Sequence, residues 1–289
     1  YVIIFIFPGF YGPGKNNNAT MIRFGIVIIM CLMCCSSKAI EVLDTSYLHV
    51  NYEAKLKMNK EKKHINRNVV LEIGKDVSVC YDSKFRQFIA LDDSLKMVRA
   101  SVGEWIRTME NNGTLGRTVS FAVYKHLPAM NELTYTDEIF RYLYYYEQEL
   151  PAIDWQMQNA DSVVCGYSCS KAVGEWRGRR WTVWYSMDIP IDDGPWKLQG
   201  LPGLILHAED AQGDFFFTCV GIEEKRSPII LWGDHMRKCT PEWFQREITE
   251  FWKDQSGYVS FRNGMPKPDY SNTDFRPQSF TPCLMENYE

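Results

Sequence analysis

A chain of 289 residues with 32 lysines and arginines against 36 aspartates and glutamates carries a formal net charge of −4. That balance leaves no electrostatic footprint for nucleic acid or for an anionic membrane surface. Hydrophobic residues make up 45% of the chain, enough for one substantial core.

Residues 1–20, "YVIIFIFPGFYGPGKNNNAT", precede Met21 and hold no methionine, which reads as an upstream extension from a start assigned too early. The next stretch, "MIRFGIVIIMCLMCCSSKA" over 21–39, has a cation at Arg23, an apolar run from Phe24 to Cys35, and small residues at Ser37 and Ala39. That is the pattern of a secretory signal peptide. Its 12 apolar residues fall short of the roughly 20 that a spanning helix needs, and a retained anchor is the alternative. Export predicts a single working domain over 40–262, located in the periplasm or on the outer-membrane surface. An irregular arm over 263–289, rich in Pro, Asn and Ser, follows it. Without the leader the balance is 29 basic against 36 acidic residues, a net charge of −7.

"SYLHVNYEAKLKM" alternates, with Leu48, Val50, Tyr52, Ala54, Leu56 and Met58 on one face and His49, Asn51, Glu53, Lys55 and Lys57 on the other. Period two over this length predicts a strand with one wet face. "NVVLEIGKDVSVCYD" reads as a hairpin turning at Gly74-Lys75. The period then changes: Leu95, Val98, Val102, Trp105, Ile106 and Met109 fall at helical spacing and predict one core-covering helix over 93–111. Asp93 or Ser94 would cap it, and Asn112-Gly113 would end it. Strand signals resume at "RTVSFAVYKH" and at "FRYLYYYEQE", where Tyr142, Tyr144 and Tyr146 share a face and offer either core or ligand-stacking rings.

From Ser162 the pattern is a meander, with turns at Arg177-Gly178 and around Ala211-Gln212-Gly213. Trp181, Val183 and Tyr185 oppose Thr182 and Trp184, and Phe215 and Phe217 oppose Phe216, so these strands are apolar on both faces and call for cover on both. "CTPEWFQREITEFWKD" predicts a second helix over 241–253, capped by Thr240 with Pro241 in its first turn. The whole reads as an α+β fold, mainly antiparallel β: a curved meander sheet of eight or more strands with two covering helices.

Six cysteines lie beyond the leader, at Cys80, Cys165, Cys169, Cys219, Cys239 and Cys283. An even count in an exported chain allows disulfides. Cys165 and Cys169 in one extended strand would sit about 13 Å apart, so partners on neighbouring strands are favoured over a bridge within "CGYSC", with buried thiols as the alternative.

Motifs for catalysis are sparse. The chain has no HExxH, no phosphate loop and no GxGxxG after a strand, and its five histidines are scattered, so no metal or cofactor is expected. "GYSCS" at 166–170 lacks the second glycine of a nucleophile elbow. His207 shares a strand face with Glu209, and Asp234, His235 and Cys239 gather before the last helix. Either set would need spatial convergence to act, so no catalytic residue is assigned.

The densest stretch is "DIPIDDGPWKLQGLPGLILHAED". Gly194-Pro195 and Pro202-Gly203 bracket a rigid crossing between strands, with Trp196, Leu198 and Leu201 available to pin it to the core, in a structural role or, as the alternative, as a binding lip. This stretch resembles the defining motif of the GLPGLI family, named for Gly200, Leu201, Pro202, Gly203, Leu204 and Ile205. "LEIG" at Leu71, "VYKHLP" at Val123, "DWQM" at Asp154, "GYSCSKA" at Gly166, "WRGRRWTVWYS" at Trp176 and "GIEE" at Gly221 are similar to it in the same order. The resemblance implies an exported Bacteroidota protein and brings no catalytic residues. The antiparallel pattern is similar to the half-barrels that carry lipoproteins and lipids, which is likeness of fold only. The expected role is a binding module for a lipid or other apolar ligand, or for another outer-membrane or envelope protein. A hydrolase with a site built from scattered His, Asp and Glu is the alternative, and a structural surface component a third.

Overall fold

The computed structural model describes residues 41–114, 120–140, 142–233, 235–266 and 283–286. The leader, the upstream extension, most of the C-terminal arm and Asp234 lie outside the described residues. Everything below concerns the compact unit Val42–Glu289.

In chain order the unit runs β1 (Val42–Thr45), β2 (Leu48–Leu56), β3 (Ile65–Ile73), β4 (Ser78–Asp82), helices α1 (Ser83–Met97) and α2 (Val102–Asn111), then β5 (Ala122–Lys125), β6 (Glu132–Ile139) and β7 (Tyr142–Glu149). The second half holds β8 (Gln156–Val164), β9 (Tyr167–Trp176), β10 (Arg179–Ser186), β11 (Leu204–Asp210), β12 (Phe215–Glu224), β13 (Pro228–Ile230) and β14 (Arg237–Lys238). Helices α3 (Pro241–Lys253) and α4 (Gln255–Arg262) follow. Twelve strands form one sheet in the order β14-β7-β6-β5-β4-β3-β2-β12-β11-β10-β9-β8, and β1 pairs with β13 apart from it. Every pairing is antiparallel except that of β14 with β7.

Two meanders, β2–β7 and β8–β12, meet where β2 pairs with β12, from Leu56 opposite Phe215 to Leu48 opposite Glu224. The chain crosses from β7 to β8 through residues 150–155 alone. A link of that length spans at most about 25 Å, whereas ten strand spacings laid flat would separate those strands by about 48 Å. The sheet therefore curls, and Ile153 of the link is buried within the curl. The inner face carries the main core, including Tyr52, Leu71, Phe121, Trp181, Phe215 and Phe217. A smaller cluster on the outer face joins Val79, Tyr81 and Tyr124 to Ile229 and Trp232.

The antiparallel β architecture and the helix at 241–253 agree with the sequence pattern; Thr240 Oγ1 accepts from the Trp243 N–H at 3.2 Å. Four helices are present among the described residues, against two expected. The first differs most. Helix begins at Ser83, where Asp82 accepts from the Phe85 N–H at 2.9 Å, and breaks before Val102, where Ser101 and Glu104 form a capping box. The residues expected to cover the core point outward: Val98 is 73% exposed and Val102 76%, and only Met109 of that row is buried. A local cap chemistry stronger than the apolar spacing resets the register at Ser101.

Two expectations about strand faces are also corrected. His49, expected on a wet face, is buried beneath β1 and β13. Trp184 and Phe216, expected to need a covering layer, are half-buried on the outer face against Lys171 and His64.

Candidate functional site

Strands β10 and β11 are neighbours, with Ser186 opposite Leu204, so residues 187–203 form a long excursion between paired strands. The excursion folds onto the inner face. Trp196 is 1% exposed, Leu198 0% and Leu201 2%, while Gly200 and Pro202 face outward. Glycine is required at two places: a Cβ on Gly203 would stand 2.2 Å from the Ser186 carbonyl oxygen, and Gly200 has φ +96°. Gly194 and Pro195 are buried, and Leu204 and Ile205 begin β11 inside the core.

Polar anchors hold the excursion down. Lys125, from the "VYKHLP" block, is fully enclosed and donates to Asp193 Oδ1 at 2.5 Å and to the carbonyls of Gly194 and Leu198 at 2.9 Å each. The Tyr52 hydroxyl donates to the Ile205 carbonyl at 2.7 Å, and the Trp155 indole to that of Gln199 at 2.7 Å. The Trp196 N–H is directed at the Cys80 sulfur at 3.0 Å.

The neighbouring lysine behaves differently. Lys197 has no exposed surface and stands 4.8 Å from the Tyr135 ring, 5.0 Å from Tyr146 and 5.6 Å from both Trp176 and Trp196. Its ammonium donates to Glu286 Oε1 at 2.5 Å and to the Tyr146 hydroxyl at 2.9 Å. Burial pulls its pKa below the ordinary lysine range, and the Glu286 carboxylate opposes that pull. Sequence reasoning passed over both lysines, because a lysine normally reads as a solvated side chain. The available signal was a lone cation between Trp196 and Leu198 in an otherwise apolar run.

Glu286 lies in the described segment 283–286, here called the strap, which is neither helix nor strand. The Cys283 N–H donates to the Met58 carbonyl at 3.0 Å, Arg179 Nε to that of Leu284 at 2.7 Å, and Gln245 Nε2 to that of Glu286 at 2.7 Å. The strap borders a cavity of about 1000 Å³ whose wall includes Leu56, Phe121, Tyr146, Trp196, Phe215 and Phe244. Of the tyrosine row on β7, Tyr142 and Tyr146 reach this cavity, while Tyr144 packs on Trp243 at 5.0 Å.

Of the two histidine sets, the structure brings His207 and Glu209 together, while Asp234 of the other lies outside the described residues. His207 shares its ring with Thr218 Oγ1 at 3.0 Å and lies 3.8 Å from Glu209 on the outer face, where burial lowers its pKa. His235 is exposed at the cavity rim, and the Cys239 sulfur is directed at the Tyr145 carbonyl instead. A third cluster went unread in the sequence: Ser46 Oγ and Ser227 Oγ both approach His49 Nε2, at 2.9 and 3.1 Å, above Glu72. Glu72 lies 3.9 Å from that same Nε2, rather than on the opposite ring nitrogen as an orienting carboxylate would. The cluster ties β13 to β2 and β3.

The expected disulfides are absent: all six cysteines are free thiols. Cys80, Cys239 and Cys283 sit in separate surroundings, each engaged with non-cysteine partners. Cys165 lies at the β8–β9 turn with φ 51°, outside the strand that carries Cys169. Burial pushes the Cys219 thiol up to about 12, helped by Cys165 and Cys169 across the curl.

Residues 177–207, from the β9–β10 turn into β11, match the model of a family described as "Protein of unknown function (Porph_ging)". None of the curated protein sequences matches the chain. Two solved structures, "Structure of PNGF-II in P21 space group" and "Structure of PNGF-II in C2 space group", align over 71% of this chain at 12% identity and a TM-score of 0.46. The aligned region spans 33% and 32% of their own lengths.

Proposed function

We propose that this protein is an exported binding module of the GLPGLI type that takes an apolar ligand into the cavity between the inner face of the sheet and α3. The observation that carries the reading is the cavity itself, about 1000 Å³ with a largely aromatic and aliphatic wall. Sites for small apolar ligands are concavities of roughly 300–1,000 Å³ with a few oriented polar groups. The signal-peptide pattern of residues 21–39 supports export, and with it a periplasmic or outer-membrane location.

Titration with the neutral probe N-phenyl-1-naphthylamine tests the reading. Saturable fluorescence enhancement is expected, with a dissociation constant on the order of micromolar, reversed by hexadecanol and weakened by Phe215→Asp. No saturable binding, together with no co-purified lipid by native mass spectrometry, would overturn it. A second partner class, another envelope protein, is favoured by one observation: Met97, Val98 and Val102 are 85%, 73% and 76% exposed around the α1–α2 break.

A further inference from the structure

We infer that Lys197 is the headgroup site of this cavity, and that the ligand it selects is an apolar chain ending in a carboxylate, whose place at the ammonium Glu286 holds. The inference rests on the cavity being a ligand site, and it adds the chemical class and orientation of the ligand.

A buried ammonium requires an anion, because removing its partner leaves an uncompensated charge in a low-dielectric place. The four rings around Lys197 favour the cation but cannot neutralise it. Here the anion comes from residues 283–286, which are neither helix nor strand, and Glu286 itself borders the cavity. Leu284 and Met285 precede it and border the same cavity. The strap thus presents an apolar stretch followed by a carboxylate, which is the chemical outline of a fatty-acid-like anion.

Glu286 Oε1 accepts from both the Lys197 ammonium and the Tyr146 hydroxyl, at 2.5 and 3.1 Å. Trp196 borders the cavity, and its buried indole N–H has no hydrogen-bond partner among the described residues. With the Lys197 ammonium and the Tyr146 hydroxyl it makes a set suited to a carboxylate, which offers about four lone-pair positions. Lys197 does not itself border the cavity; Tyr146, Trp196 and Glu286 do, and the ammonium lies behind Glu286 Oε1 at 2.5 Å, so an anionic head reaches it where that carboxylate now sits. A neutral ligand that displaced the strap would leave the ammonium unpaired; a carboxylate ligand exchanges one ion pair for another.

The test compares palmitate with hexadecanol, which has the same chain length and a neutral head, as competitors of N-phenyl-1-naphthylamine. The full chain is used as wild type, Glu286→Gln and Lys197→Met. The wild type is expected to prefer palmitate. Glu286→Gln, which removes the competing carboxylate, should bind palmitate about tenfold tighter with little change for hexadecanol. Lys197→Met should abolish the preference while still taking up the neutral probe. If the neutral probe saturates but palmitate affinity is the same in wild type and Glu286→Gln, the inference fails and the cavity reading stands. If the neutral probe does not bind, the cavity reading itself fails. A purely structural ion pair would lower the stability of Glu286→Gln and leave the palmitate-to-hexadecanol ratio unmoved. Should Lys197→Met not fold, the Glu286→Gln comparison decides alone.

Discussion

Lys125 and Lys197 are both enclosed, yet their surroundings differ in kind. Lys125 is saturated by one carboxylate and two carbonyls of the same excursion, so it acts as a rivet. Lys125→Met should strand Asp193 and cost about 3–5 kcal/mol, seen as a lower urea midpoint with unchanged slope. Gly203→Ala should cost roughly 1–3 kcal/mol or more, since the obstacle is the Ser186 backbone and cannot swing away. At this scale the sequence was legible for the glycines, prolines and large apolar residues of the motif, whose types already state their geometry. It was illegible for the lysines, because only their neighbours reveal that water is missing. The cysteines teach the same lesson. Composition allowed bridges, whereas placement leaves Cys165 exposed and burial pushes Cys80, Cys219 and Cys239 up to about 12. At pH 8 a thiol-reactive dye should label Cys165 quickly and the others only as the protein opens, a difference that peptide mapping reads directly.

Among elements, the strands announced by alternation, such as β2, and the helix announced by a cap and proline at Thr240-Pro241 were legible because the signal is local. Helix α2 was misplaced because its apolar residues keep helical spacing across a break. Ser101→Ala should remove the capping box and destabilise α2 by about 1 kcal/mol, measurable as faster amide exchange confined to 102–111. The cover over His49 was illegible for another reason. Strands β1 and β13 have four and three residues, too short for a period, and they come from distant parts of the chain.

For the molecule as a whole, stability should depend on pH through the buried imidazole of His49 and the half-buried one of His207. Burial lowers the pKa of His49, against the opposing influence of Glu72, and it does the same at His207, against Glu209. The folded state therefore holds these rings neutral, and the unfolded chain, with the ordinary value of 6.5, binds protons first. Stability is expected to be full above that value and to fall as pH drops below it, which a melting-temperature series from pH 7.5 to 5.5 would register. The curled sheet was legible as a class, since antiparallel patterning repeats along the chain. Its strand order was not, because nothing local says that β2 must meet β12.

That seam sets an order of events. Until residues 215–224 have left the ribosome, β2 can pair only with β3, and its other edge stays open. Arg179 and Lys197 wait longer still, for Leu284 and Glu286, separated from them by 105 and 89 residues. Contacts this remote make folding slow, in the millisecond-to-second range or beyond. The inner face is therefore complete only once residues 283–286 have been made and have reached it, whatever order the strands pair in.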